Sequence, residues 1–216
     1  MRNFLSPDSP LLSFITRIVY AVWLNILWFV CSIPVITAGA STTALFYVTL
    51  KMARNEEGNV TVQFFQAFRD NFRFSTKVWA IMLGAQVILA FDGYVLWHMR
   101  FTNAFWTFLT AVFLVLAAGC LIVAMYIFPL MARFENTVIA MFKNSLMLGI
   151  RYLYCTAAMA AIYFLMVLIV VRFFTPAIIF GEGVCAYLCS YLLSGIFRNL
   201  APEDSGASSE DSDEEA

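Results

Sequence analysis

Apolar residues recur in blocks about twenty residues long, separated by shorter stretches that hold most of the charge. The first block runs roughly from Ile18 to Thr37, the second from Val78 to Trp97, the third from Phe105 to Leu130, the fourth from Tyr152 to Val171 and the fifth from Ala177 to Phe197. Each is long enough, at 1.5 Å per helical residue, to cross about 30 Å of hydrocarbon. The pattern therefore predicts an all-α, polytopic membrane bundle with five transmembrane helices, spanning residues 1–200.

Two connections carry a helical pattern of their own. Between Gly39 and Lys77 a small-residue stretch leads into an aromatic helix ending near Arg54, then a polar turn, Asn55 to Asn59. After it Phe64, Phe65, Phe68 and Phe72 form an aromatic stripe opposed by Gln66, Arg69, Asp70 and Arg73, the pattern of an amphipathic helix lying at a membrane face. From Ala132 to Arg151, Val138, Met141, Phe142, Leu146 and Leu148 oppose Asn136, Lys143 and Asn144 in the same way. Each connection follows a span that ends near a proline, Pro34 or Pro129, which suggests a duplicated unit with the fifth helix added. Chance likeness between amphipathic segments accounts for the same pattern, and the residues leave both accounts open.

Composition agrees with this class: of 216 residues, 62% are hydrophobic and 12% charged, far from the balance of a soluble domain. Half of the fourteen acidic residues fall between Glu203 and Ala216, in a serine-rich acidic tail, 201–216, too poor in apolar residues to build a core and expected to be disordered. It reads as a solubilising end, or as a target for serine phosphorylation or a basic partner. Basic residues divide unevenly across the five crossings. Lys51, Arg54, Arg69, Arg73, Lys77, Arg133, Lys143, Arg151 and Arg198 fall on one side and Arg2, Arg17, Arg100 and Arg172 on the other, which by the positive-inside rule predicts an external amino terminus and a cytoplasmic carboxyl terminus. No basic stripe suits a nucleic-acid backbone.

Polar groups at membrane depth are the candidates for function, because each is costly there. Asn25 reads as an interhelical hydrogen-bond partner. Asp92 lies within the second span, facing a cavity, pairing with Arg100 or Arg172, or reaching the outer headgroups near His98; Glu182, flanked by Gly181 and Gly183, reads as an interfacial turn or a buried acid. Pro34 frees a backbone carbonyl, and Gly39, Ser41 and Thr43 permit close helix approach, so this stretch is either a structural corner or part of a solute path. Pro129 repeats the break, and Arg133, Glu135 and Asn136 close the third span, where Arg133 and Glu135 anchor it or pair with Lys143. Phe68, Arg69, Arg73 and Lys143 are the interfacial candidates.

Enzyme chemistry lacks parts. His98 is the single histidine, so multi-histidine metal centres and bis-histidine haem are excluded, and no glycine-rich phosphate loop occurs. Cys185 and Cys189 share a helical face, but two thiols without further ligands are weak grounds for a metal site. The expectation is a non-enzyme with no cofactor, no metal and no catalytic residue.

The run Leu27-Trp28-Phe29-Val30-Cys31-Ser32-Ile33-Pro34-Val35-Ile36-Thr37-Ala38-Gly39-Ala40-Ser41-Thr42-Thr43-Ala44-Leu45, the Phe64-Phe65 to Phe72 segment and Pro129-Leu130 with Arg133-Phe134-Glu135-Asn136-Thr137 resemble the YesL family of bacterial membrane proteins over about residues 5 to 200. That resemblance implies a multi-pass protein of the bacterial cytoplasmic membrane. Its members are often encoded beside sugar ABC transporters, two-component sensors and polysaccharide-degrading enzymes, which implies a tie to carbohydrate uptake but identifies no chemistry. Three readings follow. One is an accessory or regulatory component packed, among membrane lipids, against a sugar ABC transporter permease or a sensor kinase. Another is an autonomous small-solute transporter or channel acting as a homo-oligomer. The third is an intramembrane enzyme built on Asp92, Glu135 and Glu182, the least supplied of the three.

Overall fold

The computed structural model describes residues 10–56, 58–99, 103–172 and 178–210, which among themselves form seven α-helices and one short 3-10 turn. The α-helices are α1 (Pro10–Ser32), α2 (Ala38–Ala53), α3 (Val60–Met99), α4 (Ala104–Met131), α5 (Val138–Arg151), α6 (Leu153–Arg172) and α7 (Ile178–Glu210).

The corner between α1 and α2 follows from Pro34. It lacks an N–H and biases the residue before it away from helical backbone, so α1 ends at Ser32. Pro34 itself is extended, with φ −75° and ψ 108°. The Thr37 hydroxyl stands within donating reach of the carbonyls of Cys31, at 2.6 Å, and Pro34, at 2.7 Å, and the Pro34 carbonyl also accepts from the Thr37 N–H, so the acceptors left by the break are served locally. The chain then turns back. Trp28 donates through its indole Nε1 to the Thr42 hydroxyl at 3.0 Å and Ser32 meets Ser41, while at the other end Arg17 donates to the Asn55 side chain. α1 and α2 are thus an antiparallel hairpin, and the guanidinium of Arg17 lies at the same end as Arg54, not across from it as the five-crossing count requires.

α2 is the hub. Eleven of its sixteen residues are buried, from Gly39 through Met52, under α1, α3, α4 and α7. A helix apolar or small on every face belongs in a core. Its Thr43 and Thr49 hydroxyls return to carbonyls one turn back, at 2.9 Å each, so no hydroxyl hydrogen is stranded there.

Asn55 then takes a left-handed backbone, φ 59°, which asparagine tolerates better than most side chains, and lets α2 turn into α3. The expected interfacial helix is not a separate element. It is the first part of α3, which runs unbroken for 40 residues, about 60 Å, because nothing between Val60 and Met99 stops a helix. The aromatic stripe divides as well: Phe64 is fully buried against the core, whereas Phe65 and Phe72 are exposed. The second connection does form its own helix. In α5 the buried residues Met141, Ser145, Leu148 and Gly149 share one face, capped by the Thr137 hydroxyl and ended at Tyr152, which leaves helical geometry at φ −113° and ψ 53°. Pro129 does not end α4; the helix passes through it to Met131.

Four of these helices are long and apolar enough to cross a membrane, over Ile15–Ser32, Val60–His98, Ala104–Met131 and Leu153–Arg172. The chain therefore has the makings of a membrane protein. The fifth expected span falls on α7, preceded by residues 173–177, which lie outside the described residues. The backbone of α7 extends into the expected tail as far as Glu210, and residues 211–216 lie outside the described ones.

Candidate functional site

A seam of interhelical hydrogen bonds ties the hub to its neighbours. Asn25 of α1, fully buried, accepts from the backbone N–H of Gly183 in α7 at 3.0 Å, so it is the interhelical partner its position within a span suggests. Thr49 of α2 meets Ser190 of α7 at 2.8 Å, and Ser75 of α3 donates to Thr43 of α2 at 3.0 Å. Tyr126 of α4 meets Thr156 of α6 at 2.9 Å, and Thr156 donates onward to the Gly149 carbonyl at 2.8 Å. In a bilayer such bonds, with small residues between helices, replace the hydrophobic drive available in water.

Two glycines are required by this packing. A Cβ on Gly39 would collide with Trp79 and lie 2.9 Å from the Ser75 carbonyl oxygen. On Gly183 it would run into the Ala21 carbonyl oxygen and the Asn25 Cβ. Gly181 and Gly183 thus belong inside a helix pressed against its neighbours, and the interfacial turn expected around Glu182 does not form.

Beside the seam, α2, α4, α6 and α7 line an open groove, a cavity of about 580 Å³ whose outer wall includes the exposed residues Ala118, Leu121 and Ala160. Its wall is mostly apolar, including Phe46 and Met125, and its polar atoms come from Thr42, Thr156, Tyr163 and Glu182. The volume falls within the range of small-molecule sites, roughly 300–1,000 Å³. Among the described residues Glu182 is the one charged group in the wall. The Tyr163 hydroxyl donates to its Oε1 at 3.5 Å, a long bond, and among the described residues no cation lies within ion-pair distance. A carboxylate offers about four lone-pair sites, and the Tyr163 bond is the one hydrogen bond to this one among the described residues.

The other sequence candidates lie elsewhere. Pro34 is exposed at the tip of the hairpin, while Gly39, Ser41 and Thr43 are buried in α2, where Ser41 bonds Ser32 and the Ala38 carbonyl. Asp92 is exposed on α3, outside the cavity wall, and among the described residues makes no ion pair. Pro34 and Asp92 therefore do not converge on one path. Pro129 is buried at the end of α4. Just beyond it the Arg133 guanidinium lies 5.7 Å from the centroids of both Phe134 and Phe197, with its Nη1 buried and without a hydrogen-bond partner. Burial, then the charge of Arg54, lowers its pKa, and Glu56 opposes the shift. Glu135, Asn136 and Lys143 are exposed, and Glu135 and Lys143 do not pair among the described residues.

One charged face is continuous. Gln66, Arg69, Asp70, Arg73 and Lys77 are exposed along the first part of α3, with Phe68 partly buried behind them and Phe64, Ala67, Ser75 and Val78 packed inward. Sequence reasoning found this face, Asn25 and Gly39. It missed Tyr163, Thr156 and Ser190, which nothing in their own segments distinguishes from ordinary span residues.

No curated protein matches the chain, and no solved structure does. Residues 21–93, from α1 through the hub into α3, match the model of a family described as protein of unknown function, DUF624.

Proposed function

We propose that the chain is an accessory or regulatory membrane component, not an enzyme, that docks on a partner in the bacterial cytoplasmic membrane. Its partner is a sugar ABC transporter permease or a sensor kinase, a reading supported by the resemblance to the YesL family and compatible with the family of unknown function matched over 21–93. The observation that carries the docking role is the exposed row of Arg69, Arg73 and Lys77. These cations stand on a helix whose opposite face is fixed to the buried hub, a rigid platform for recognition.

The hairpin supports a revised orientation. With Arg17 beside Asn55, Arg17 joins the side that holds Arg54. The positive-inside rule then favours both termini in the cytoplasm.

Mild-detergent co-purification from the native membrane with mass-spectrometric identification tests the proposal. The expected result is a near-stoichiometric permease or kinase that is lost in the Arg69→Glu, Arg73→Glu double variant while that variant still inserts. A clean homo-oligomer, with no partner in either protein, contradicts it. The cavity favours one second reading, an oligomeric small-solute transporter or channel, which expects solute flux in liposomes holding this protein alone.

A further inference from the structure

We infer that the cavity between α2, α4, α6 and α7 is a binding site for a hydrophobic ammonium, with Glu182 holding the cationic head and the apolar wall holding the body. The inference goes beyond the docking role and does not depend on it. Three features converge. The cavity is of ligand size, about 580 Å³, and its lining atoms are overwhelmingly carbon. Its single charged side chain among the described residues is an acid of α7, set between Gly181, which packs beside Met166 of α6, and Gly183, which packs against α1. That acid has one long hydrogen bond, from Tyr163, and no cation partner among the described residues.

A carboxylate removed from water is costly unless it takes up a proton or is paired with its lone pairs filled. A protonated amine supplies both the opposite charge and N–H donors. A carboxylate ligand would add repulsion, and a plain hydrocarbon would leave Glu182 unsatisfied. The body then lies along Phe46, Leu121 and Met125, a surface suited to an alkyl or aryl group.

The test is a thermal-shift titration of the full chain in maltoside micelles with N,N-dimethyldodecylamine, using 1-dodecanol and dodecanoate as controls of the same chain length. Saturable stabilisation by the amine, with an apparent Kd weakened at least about tenfold in Glu182→Gln, is the expected result. Ala160→Trp, which fills the cavity while keeping the acid, weakens the amine response by a similar factor and covers the case in which Glu182→Gln fails to fold. Equal responses to amine and alcohol, or amine binding unchanged in either folded variant, overturn the inference. Lipid analysis of the purified protein separates two sources of the ammonium: a co-purifying ammonium-headed lipid lost in Glu182→Gln assigns the site to the bilayer, and an amine response without such a lipid assigns it to a free solute.

Discussion

Gly183 meets α1 so closely that the smallest side chain has no room. The obstacle is partly backbone, the Ala21 carbonyl, which cannot rotate away as a flexible side chain does. Gly183→Ala is expected to cost about 1–3 kcal/mol, the usual range for overpacking, read as a lowered Tm in detergent. Gly195→Ala, where a Cβ meets nothing within 4 Å, is the control and leaves the Tm unchanged or slightly raised. Asn25→Ala removes the acceptor for the Gly183 N–H. Interhelical hydrogen bonds in membranes average about 0.6 kcal/mol and reach about 1.7, so its loss lowers the Tm less than the Gly183 change. At this scale the sequence was partly readable. An amide within an apolar span has few uses other than a bond to a neighbouring helix, and that marked Asn25. Glu182 was equally conspicuous, but its neighbour Tyr163 lies on another helix, and interhelical register leaves no mark in either segment.

Among the elements, hydropathy located the long spans and misjudged the parts between them. α2 was legible as a helix ending near Arg54 but not as the core: it is short and rich in Ser and Thr, so it reads as a connection, although eleven of its sixteen residues are buried. What surrounds it is protein, and hydropathy does not distinguish a helix buried in protein from one skirting a membrane face. α3 was divided at Lys77, where polar residues give way to apolar ones, yet that boundary is a change of environment along one continuous helix. The hairpin of α1 and α2 has the largest consequence, since it returns the chain to the end marked by Arg17 and Asn55. A reporter that is active only in the cytoplasm is expected to be active when fused at the amino terminus as well as at the carboxyl terminus. Activity at the carboxyl end alone restores the external amino terminus that five crossings imply.

For the whole molecule, the described residues divide into a packed centre, an acid-bearing cavity beside it and an exposed cationic platform on α3. The hub fixes the platform, because Thr43 of α2 bonds Ser75 of α3 and Gly39 seats Trp79. A change at Gly39 is therefore expected to weaken partner capture as well as stability, whereas the Arg69→Glu, Arg73→Glu change weakens capture and leaves the Tm near that of the parent, both residues being exposed. Comparing captured partner with Tm for the two variants separates a docking defect from a folding defect.

Docking at the platform is tested most directly in the intact native membrane, with a photo-crosslinking residue in place of Gln66 on the cationic face and, separately, in place of Val87 on the apolar part of α3, both exposed. The docking account predicts a discrete protein adduct from position 66, identified as a transporter permease or sensor kinase, and none from position 87. Adducts only to lipid from position 66, or the same adducts from both positions, contradict it.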